Sequence, residues 1–352
     1  MKRLAIFVFS FGLALTLRGE EARLAVPSAV SASPLGPATD EERLEALDPV
    51  QVKQALSLLL TRHVGAAGLD EDAMNRASLR GLLADLAPGV ELTDGVPPQS
   101  PQAPFRAEIL DSRFGYVRLG SLRAENLVQL DASLQDFSRK NIEGVILDLR
   151  ATPVSEDFEM AAKVAGRFSS KGSVLFTMLR PADKQETILT SSSAPLYPGL
   201  LVVVANKTTS GAAEALAASL RQNAQAIMVG ETTAGRPVEF GTVDLGQGHY
   251  LRLATAEARV VGLAPVYPHG LPPDIEVRQD PRETDTILSG SLEKGVGGYV
   301  FEQERARFNE ATLVAGTNPE LATEEFQSNL LDRPLQRAVD LLTAIRFFEN
   351  GQ

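Results

Sequence analysis

An unbroken apolar run, Leu200–Ala205 (LLVVVA), passes through a polar turn (NKTTS) straight into a stretch of small residues (GAAEALAASL), and this order constrains the chain more than any other feature. A run without alternation reads as a buried strand. The stretch after the turn reads as a helix starting near Ala212, with Leu216 and Leu220 on one side. A turn between such a strand and helix sits at the positive end of the helix dipole, where enzymes place a nucleophile or hold an anion. A second apolar strand, Ala226–Val229, and a glycine-containing loop ending near Phe240 complete this central unit.

The rest of the chain repeats the alternation. Strands are predicted at Phe114–Leu119, Gly144–Leu149 and Ser173–Met178, with helices at Ala124–Lys140 and Asp157–Phe168. Leu127, Leu130, Leu134 and Phe137 form the apolar stripe of the first helix, so the strand, helix, strand order there implies parallel pairing through a crossover. A polar loop through Ser191, Ser192 and Ser193 leads into the central unit. Beyond it, strands at Gly241–Leu245 and Tyr250–Ala258 flank Gly246-Gln247-Gly248. The expectation is an α/β mixed-sheet core over residues 105–279.

Around that core the text changes character. Residues 49–92 read as an N-terminal helical segment, 93–104 as a proline-rich linker, and 280–352 as a charged C-terminal extension. Helical patches are expected there at 298–311 and 321–331. Asp332 can cap a last helix carrying Leu335, Ala338, Leu342 and Ile345. Residues 20–48, rich in Ala, Pro and Ser, read as a flexible tether. Lys2 and Arg3 precede the apolar run Leu4–Leu17, the layout of a secretory signal peptide over residues 1–19. The expectation is export to the periplasm or cell envelope, with an uncleaved N-terminal anchor as the alternative. A formal charge of -11 argues against a nucleic-acid partner. The absence of cysteine removes disulfides and thiolate chemistry.

In detail the central unit resembles the core of the carboxyl-terminal processing peptidases, or tail-specific proteases. Their pattern is N-x-x-T-x-S-x-S-E, a helix, then G-E-x-T-x-G-K-G-x-x-Q. Asn206, Thr209, Glu214, Gly230, Glu231, Thr233 and Gly235 match it. Further blocks follow in the family's order: Arg62-His63-Val64, Arg80-Gly81-Leu82-Leu83, Gly144-Val145-Ile146-Leu147-Asp148-Leu149-Arg150 with Pro153, Gly270-Leu271-Pro272-Pro273-Asp274, and Asp332, Leu335, Ala338, Leu342. The resemblance implies a fold like that of the Clp peptidase and crotonase group, and a serine nucleophile with a lysine base that a glutamine orients. Most family members insert a PDZ domain where residues 93–104 lie, and so short a stretch cannot hold a domain of about 80–100 residues.

The positions that would do the chemistry depart from the pattern. The nucleophile position holds Gly211, the base position Arg236 and the orienting position Phe240. Glycine has nothing to attack with, and a guanidinium stays protonated at any working pH. Where the family has Gly-Gly, lending a backbone N–H to the oxyanion hole, this chain has Val154-Ser155; valine tolerates a positive φ poorly, so the donor is expected to point elsewhere. The backbone of Val154, Ser155, Gly211 and Ala212 thus marks the old oxyanion region. Ser210, with Lys207 nearby, is the fallback nucleophile, read otherwise as a helix cap. Arg236 is a candidate anion site for a peptide C-terminus, or else pairs with Glu239, Glu214 or Glu231. His63, His249 and His269 have no metal or triad spacing. The reading is an exported pseudopeptidase or scaffold, with an active serine peptidase as the alternative; no cofactor or metal is implied. Its corollary is that Gly211→Ser with Arg236→Lys and Phe240→Gln, with or without Val154→Gly and Ser155→Gly, recovers some cleavage of unstructured peptides, while neither of the first two does so alone.

Overall fold

The computed structural model describes residues 40–63, 65, 70–95, 102–301 and 330–350. The expected signal peptide, residues 20–39 of the tether, and residues 302–329 of the helical patches expected at 298–311 and 321–331 lie outside the described residues; at the start of the first patch Gly297–Tyr299 forms one 3-10 turn. The chain divides into two compact units, residues 1–75 and 76–352.

In the first unit, helix α1 (Asp40–Glu45) lies inside the stretch expected to be a tether, which is therefore helical at its end. Its acidic start and lack of Gly or Pro favour that turn of helix. Helix α2 (Pro49–Arg62) opens on a capping box: the Asp48 carboxylate accepts from the N–H groups of Val50 and Gln51 at 2.8 Å, and the Gln51 side chain accepts from the Asp48 N–H. Helix α3 (Glu71–Asp85) carries the chain onward into the second unit.

The second unit runs β1 (Val90–Asp94), β2 (Arg106–Leu110), β3 (Phe114–Arg118), α4 (Ala124–Arg139), β4 (Gly144–Asp148), α5 (Phe158–Ala165), β5 (Val174–Arg180) and β6 (Gln185–Thr190). It continues through β7 (Leu200–Ala205), α6 (Ala212–Asn223), β8 (Ile227–Gly230), β9 (Val238–Gly246), β10 (His249–Arg259), β11 (Ile275–Glu276), α7 (Pro281–Lys294) and α8 (Arg333–Asn350). Two sheets result. One has the order β11-β8-β7-β4-β3-β2, parallel except for the edge strand β2. The other, antiparallel, has the order β1-β10-β5-β6, with β9 also on β10.

The unbroken apolar runs are explained by cover on both faces of the parallel sheet. Val145, Leu147 and Val203 face a core shared with Leu130, Leu134 and Leu216 of the helices, whereas Ile146, Val202 and Val204 face Leu335, Ala338 and Leu342 of α8. Successive residues point to opposite faces, so both must be apolar.

Three elements depart from expectation. Val90–Asp94 is a strand, not the end of a helical segment or a linker, because it pairs residue for residue with Leu253 back to His249 of β10. The polar stretch before Ser191 contains β6, an exposed edge held by backbone pairing with β5. Residues 281–294, expected to be irregular, form α7, whose Asp280 cap and Pro281 start are a sequence signal that the charged composition hid.

A buried charge cluster ties the C-terminal helix to the parallel sheet. Arg150 reaches both Asp148 (2.7 Å) and Asp332 (2.8 Å), and all three side chains are almost fully buried. Burial disfavours the Asp148 charge, yet Arg150 and Arg118 prevail and hold its carboxyl below the usual range. Asp332 also accepts from the Leu335 N–H at 3.1 Å, capping α8 as expected. Removing one member strands the others without solvent. Asp332→Ala is expected to cost about 3–5 kcal/mol in denaturant unfolding, the range for one partner lost from a buried pair; a loss below about 1 kcal/mol would show that the cluster is not a structural tie.

Candidate functional site

The site is built on the turn between β7 and α6. Within it the Asn206 N–H donates to the Thr209 hydroxyl at 3.2 Å, the Thr208 hydroxyl donates to the Arg150 carbonyl at 3.1 Å, and the Ala234 N–H donates to the Thr209 carbonyl at 3.0 Å. The matched Asn206 and Thr209 are therefore turn formers that pin the 206–211 loop to its neighbours. Gly211 is the N-cap residue of α6, at φ 65° and ψ -132°, with no side chain to cap it. That is the sharp strand-to-helix turn on which other folds strain a nucleophilic serine. Here glycine takes the turn without strain.

The capping role read for Ser210 falls to Gly211 instead. Ser210 is buried at 5 % exposure, and no described side chain hydrogen bonds to it. Lys207, its nearest candidate base in sequence, is 77 % exposed and pairs with Glu231 at 3.5 Å.

The old oxyanion region is closed by the chain itself. The Ala212 N–H, first amide of the helix, donates to the Ser155 carbonyl at 2.8 Å, and Ser155 and Gly211 pair as an isolated parallel bridge. Neither Val154 nor Ser155 takes a positive φ. Val154 is exposed, at 55 %. A Cβ built on Gly211 would lie 2.5 Å from the Ser155 oxygen, so this contact excludes any side chain at the nucleophile position. The expected rescue by substitution at 211, 236 and 240 alone conflicts with this geometry.

Below the turn, Glu214 fastens the second loop. Its fully buried carboxylate accepts from the Thr233 hydroxyl (2.5 Å), the Gly235 N–H (2.6 Å) and the Arg236 N–H (2.7 Å). Burial pushes this carboxyl above its ordinary pKa, against the pull of those donors. Glu214 thus binds the Arg236 backbone and leaves the guanidinium free to turn outward.

That guanidinium does not stand open. It pairs with Glu91 of β1 rather than with Glu239, Glu214 or Glu231, because β1 lies against β10 and not where its sequence position suggests. Glu91 also pairs with Arg252 at 3.0 Å, Arg252 pairs with Glu156 at 3.0 Å, and Glu156 accepts the Phe240 N–H at 3.0 Å. Both guanidinia lie over the Phe240 ring, Arg236 at 5.1 Å and Arg252 at 4.5 Å from its centroid. Glu91, Arg252 and Glu156 escaped sequence reading: each is an ordinary charged residue in its own segment, and only the sheet pairing and the 155–211 bridge assemble them. Where the family pattern has a glutamine, Phe240 supplies a ring on which two cations rest.

His63 accepts from the Gly65 N–H just beyond α2, His249 pairs with Asp94 at 2.8 Å, and among the described residues no cluster of metal-ligating side chains forms. A cavity of about 840 Å³ opens between the end of α6 and the 262–274 loop, lined in part by Arg221, His269 and Asp274. Positions 154, 155, 211, 236 and 240 do not line it.

Two outcomes test this description. Gly211→Ser is expected to destabilise the protein by about 1–3 kcal/mol from backbone strain alone; an unchanged melting temperature would show that the Ser155 contact yields freely. Because Glu214 has a folded pKa above its unfolded value, its contribution is complete below about 4.3 and is lost as pH rises through the folded value. The stability of the wild type relative to Glu214→Gln should therefore fall as pH is raised, and a rise would contradict the burial argument.

Comparison with known proteins places this geometry. Residues 113–277 match the model of peptidase family S41. A carboxyl-terminal-processing protease of Synechocystis is 26% identical over 181 residues, 50% of this chain and 42% of the relative. One from Picosynechococcus is 27% identical over 191 residues, 51% and 45% of the two chains. The matched region therefore spans less than half the length of these relatives. A solved structure from Parabacteroides merdae shares the fold, with a TM-score of 0.50 at 16% identity, over 71% of this chain and 90% of that one. The order of the strands, the turn at Gly211 and the matched blocks agree with these findings: residues 113–277 match peptidase family S41, and this part of the chain is similar to the carboxyl-terminal-processing proteases.

Proposed function

We propose that this chain is a pseudopeptidase of the tail-specific protease family, exported to the cell envelope, which binds peptide C-termini or acts as a scaffold without hydrolysing them. The observation that carries the reading is the Ser155 carbonyl on the Ala212 amide. A hydrolytic site needs that amide free to receive a developing oxyanion, since donors aimed at the oxyanion are worth about 10²–10³ in rate. Here the donor is taken, the adjoining residue has no side chain, and the cation at the base position is tied to a carboxylate. The missing nucleophile alone would silence a serine-lysine dyad, and the occupied donor and paired cation would each slow one further.

The alternative, a working serine peptidase using Ser210, lacks support on the same grounds. A nucleophile needs a base within hydrogen-bond reach, and Ser210 has no such partner among the described side chains. Export rests on the basic and apolar N-terminus; among the described residues no helix is long and apolar enough to cross a membrane.

A fluorophosphonate probe with mass detection tests the proposal. Wild type should remain unlabelled and leave unstructured peptides intact. Gly211→Ser with Arg236→Lys and Phe240→Gln should also stay silent, and turnover should emerge only when Val154→Gly and Ser155→Gly are added, which let the backbone at 154–155 turn its carbonyl away from the Ala212 amide. Labelling of the wild type that disappears in Ser210→Ala would establish the peptidase instead.

A further inference from the structure

The cluster beside the closed turn has the form of a binding site that already holds its ligand. Two guanidinia, Arg236 and Arg252, converge on one carboxylate, Glu91, each taking a different oxygen. Both rest on the Phe240 ring, which limits their rotamers and orders the pair before any anion arrives. Arg252 is held from its other side by Glu156, which also accepts the Phe240 N–H, so this half of the seat keeps its anchor when Glu91 is absent. Glu91 is the member that the fold holds least: it belongs to β1, an edge strand paired with β10, and its side chain is 31% exposed. The Arg236 side chain is equally exposed, at 31%, so the seat borders solvent.

We propose that Arg236 and Arg252, stacked on Phe240, form a carboxylate-binding seat that Glu91 occupies in the free protein, and that a carboxylate from another molecule enters by displacing it. The inference rests on the pseudopeptidase reading and extends it: the ligand class is a carboxylate presented by an extended peptide, and the chain carries its own competitor. Two carboxylates balance two guanidinia in the free protein, so the site stays neutral until exchange. The planar head of arginine suits this role better than lysine, because it can stack on the ring while its fixed N–H groups meet the carboxylate, one guanidinium to each oxygen. A tethered competitor acts at an effective concentration of the order of millimolar, so weak affinity is expected of the wild type.

The test uses the full chain and a fluorescein-labelled unstructured peptide, prepared with a free C-terminal carboxylate and as the C-terminal amide, followed by fluorescence anisotropy. Glu91→Gln should bind the free-acid peptide about tenfold more tightly than wild type, as expected when a competing state is removed. The amide should show no gain. Glu91→Asp, which keeps the charge on a shorter arm, should gain less, and it covers the case in which Glu91→Gln folds poorly. Adding Arg252→Met to Glu91→Gln should abolish the gain. No gain in either Glu91 variant, or an equal gain for the amide, would overturn the proposal. Mass analysis of the recovered peptide separates the two readings: cleavage would sink the pseudopeptidase assignment, while the anisotropy result would still decide the seat.

Discussion

One hydrogen bond, from the Ala212 amide to the Ser155 carbonyl, governs the geometry of everything around it. It draws the 153–156 segment onto the turn so closely that only glycine fits at position 211. The amide is the first free donor of α6, where backbone N–H groups and the helix dipole favour an electronegative partner. In a hydrolase that partner is the substrate oxygen at the moment of reaction. Here a carbonyl of the chain fills the role permanently, and the same closure puts Glu156, the next residue, within reach of Arg252 and the Phe240 amide.

The closed turn is supported from two directions. Glu214 holds the 233–236 loop by three donors within the protein, at the expense of burying a carboxyl whose pKa rises as a result. Asp148, Arg150 and Asp332 fix the other side, and the Arg150 carbonyl in turn accepts the Thr208 hydroxyl of the turn. A buried ion cluster of this kind contributes little net stability over an apolar core but is costly to break, so it acts as a positional constraint more than a source of energy. The scaffold residues of the family pattern are thus the ones that match, because they still perform their structural work. The residues at the chemical positions answer to different needs: backbone conformation at 211, charge pairing at 236, and ring stacking at 240.

Electrostatics around Arg236 illustrates why charge cannot be read along a sequence. The arginine has three acidic residues nearby in the chain or the motif, Glu239, Glu214 and Glu231, and its side chain pairs with none of them. Glu239 pairs with Arg180, Glu231 with Lys207, and Glu214 spends its oxygens on the Thr233 hydroxyl and on backbone. The partner instead comes from β1, more than a hundred residues earlier, in a segment that reads as helix end and linker. Its place is decided by backbone pairing with β10, to which side-chain pattern contributes little in a short strand with exposed neighbours.

Periodicity and motif order were enough to read from the sequence alone the alternating α/β core, the parallel pairing of β3 with β4, the strands β7 and β8, the capped final helix, the family resemblance, and the lack of a serine and a lysine at the matched positions. These are local properties: a run of apolar residues or a missing side chain means the same thing wherever it lies. Tertiary structure alone decided that β1, β6 and α7 exist, that Ser155 fills the Ala212 amide, and that Glu91, Arg252, Glu156 and Phe240 enclose Arg236. Those depend on which segments the sheets bring together, and a hydrogen bond or an ion pair has no signature in either partner until the fold has placed them within about 3 Å.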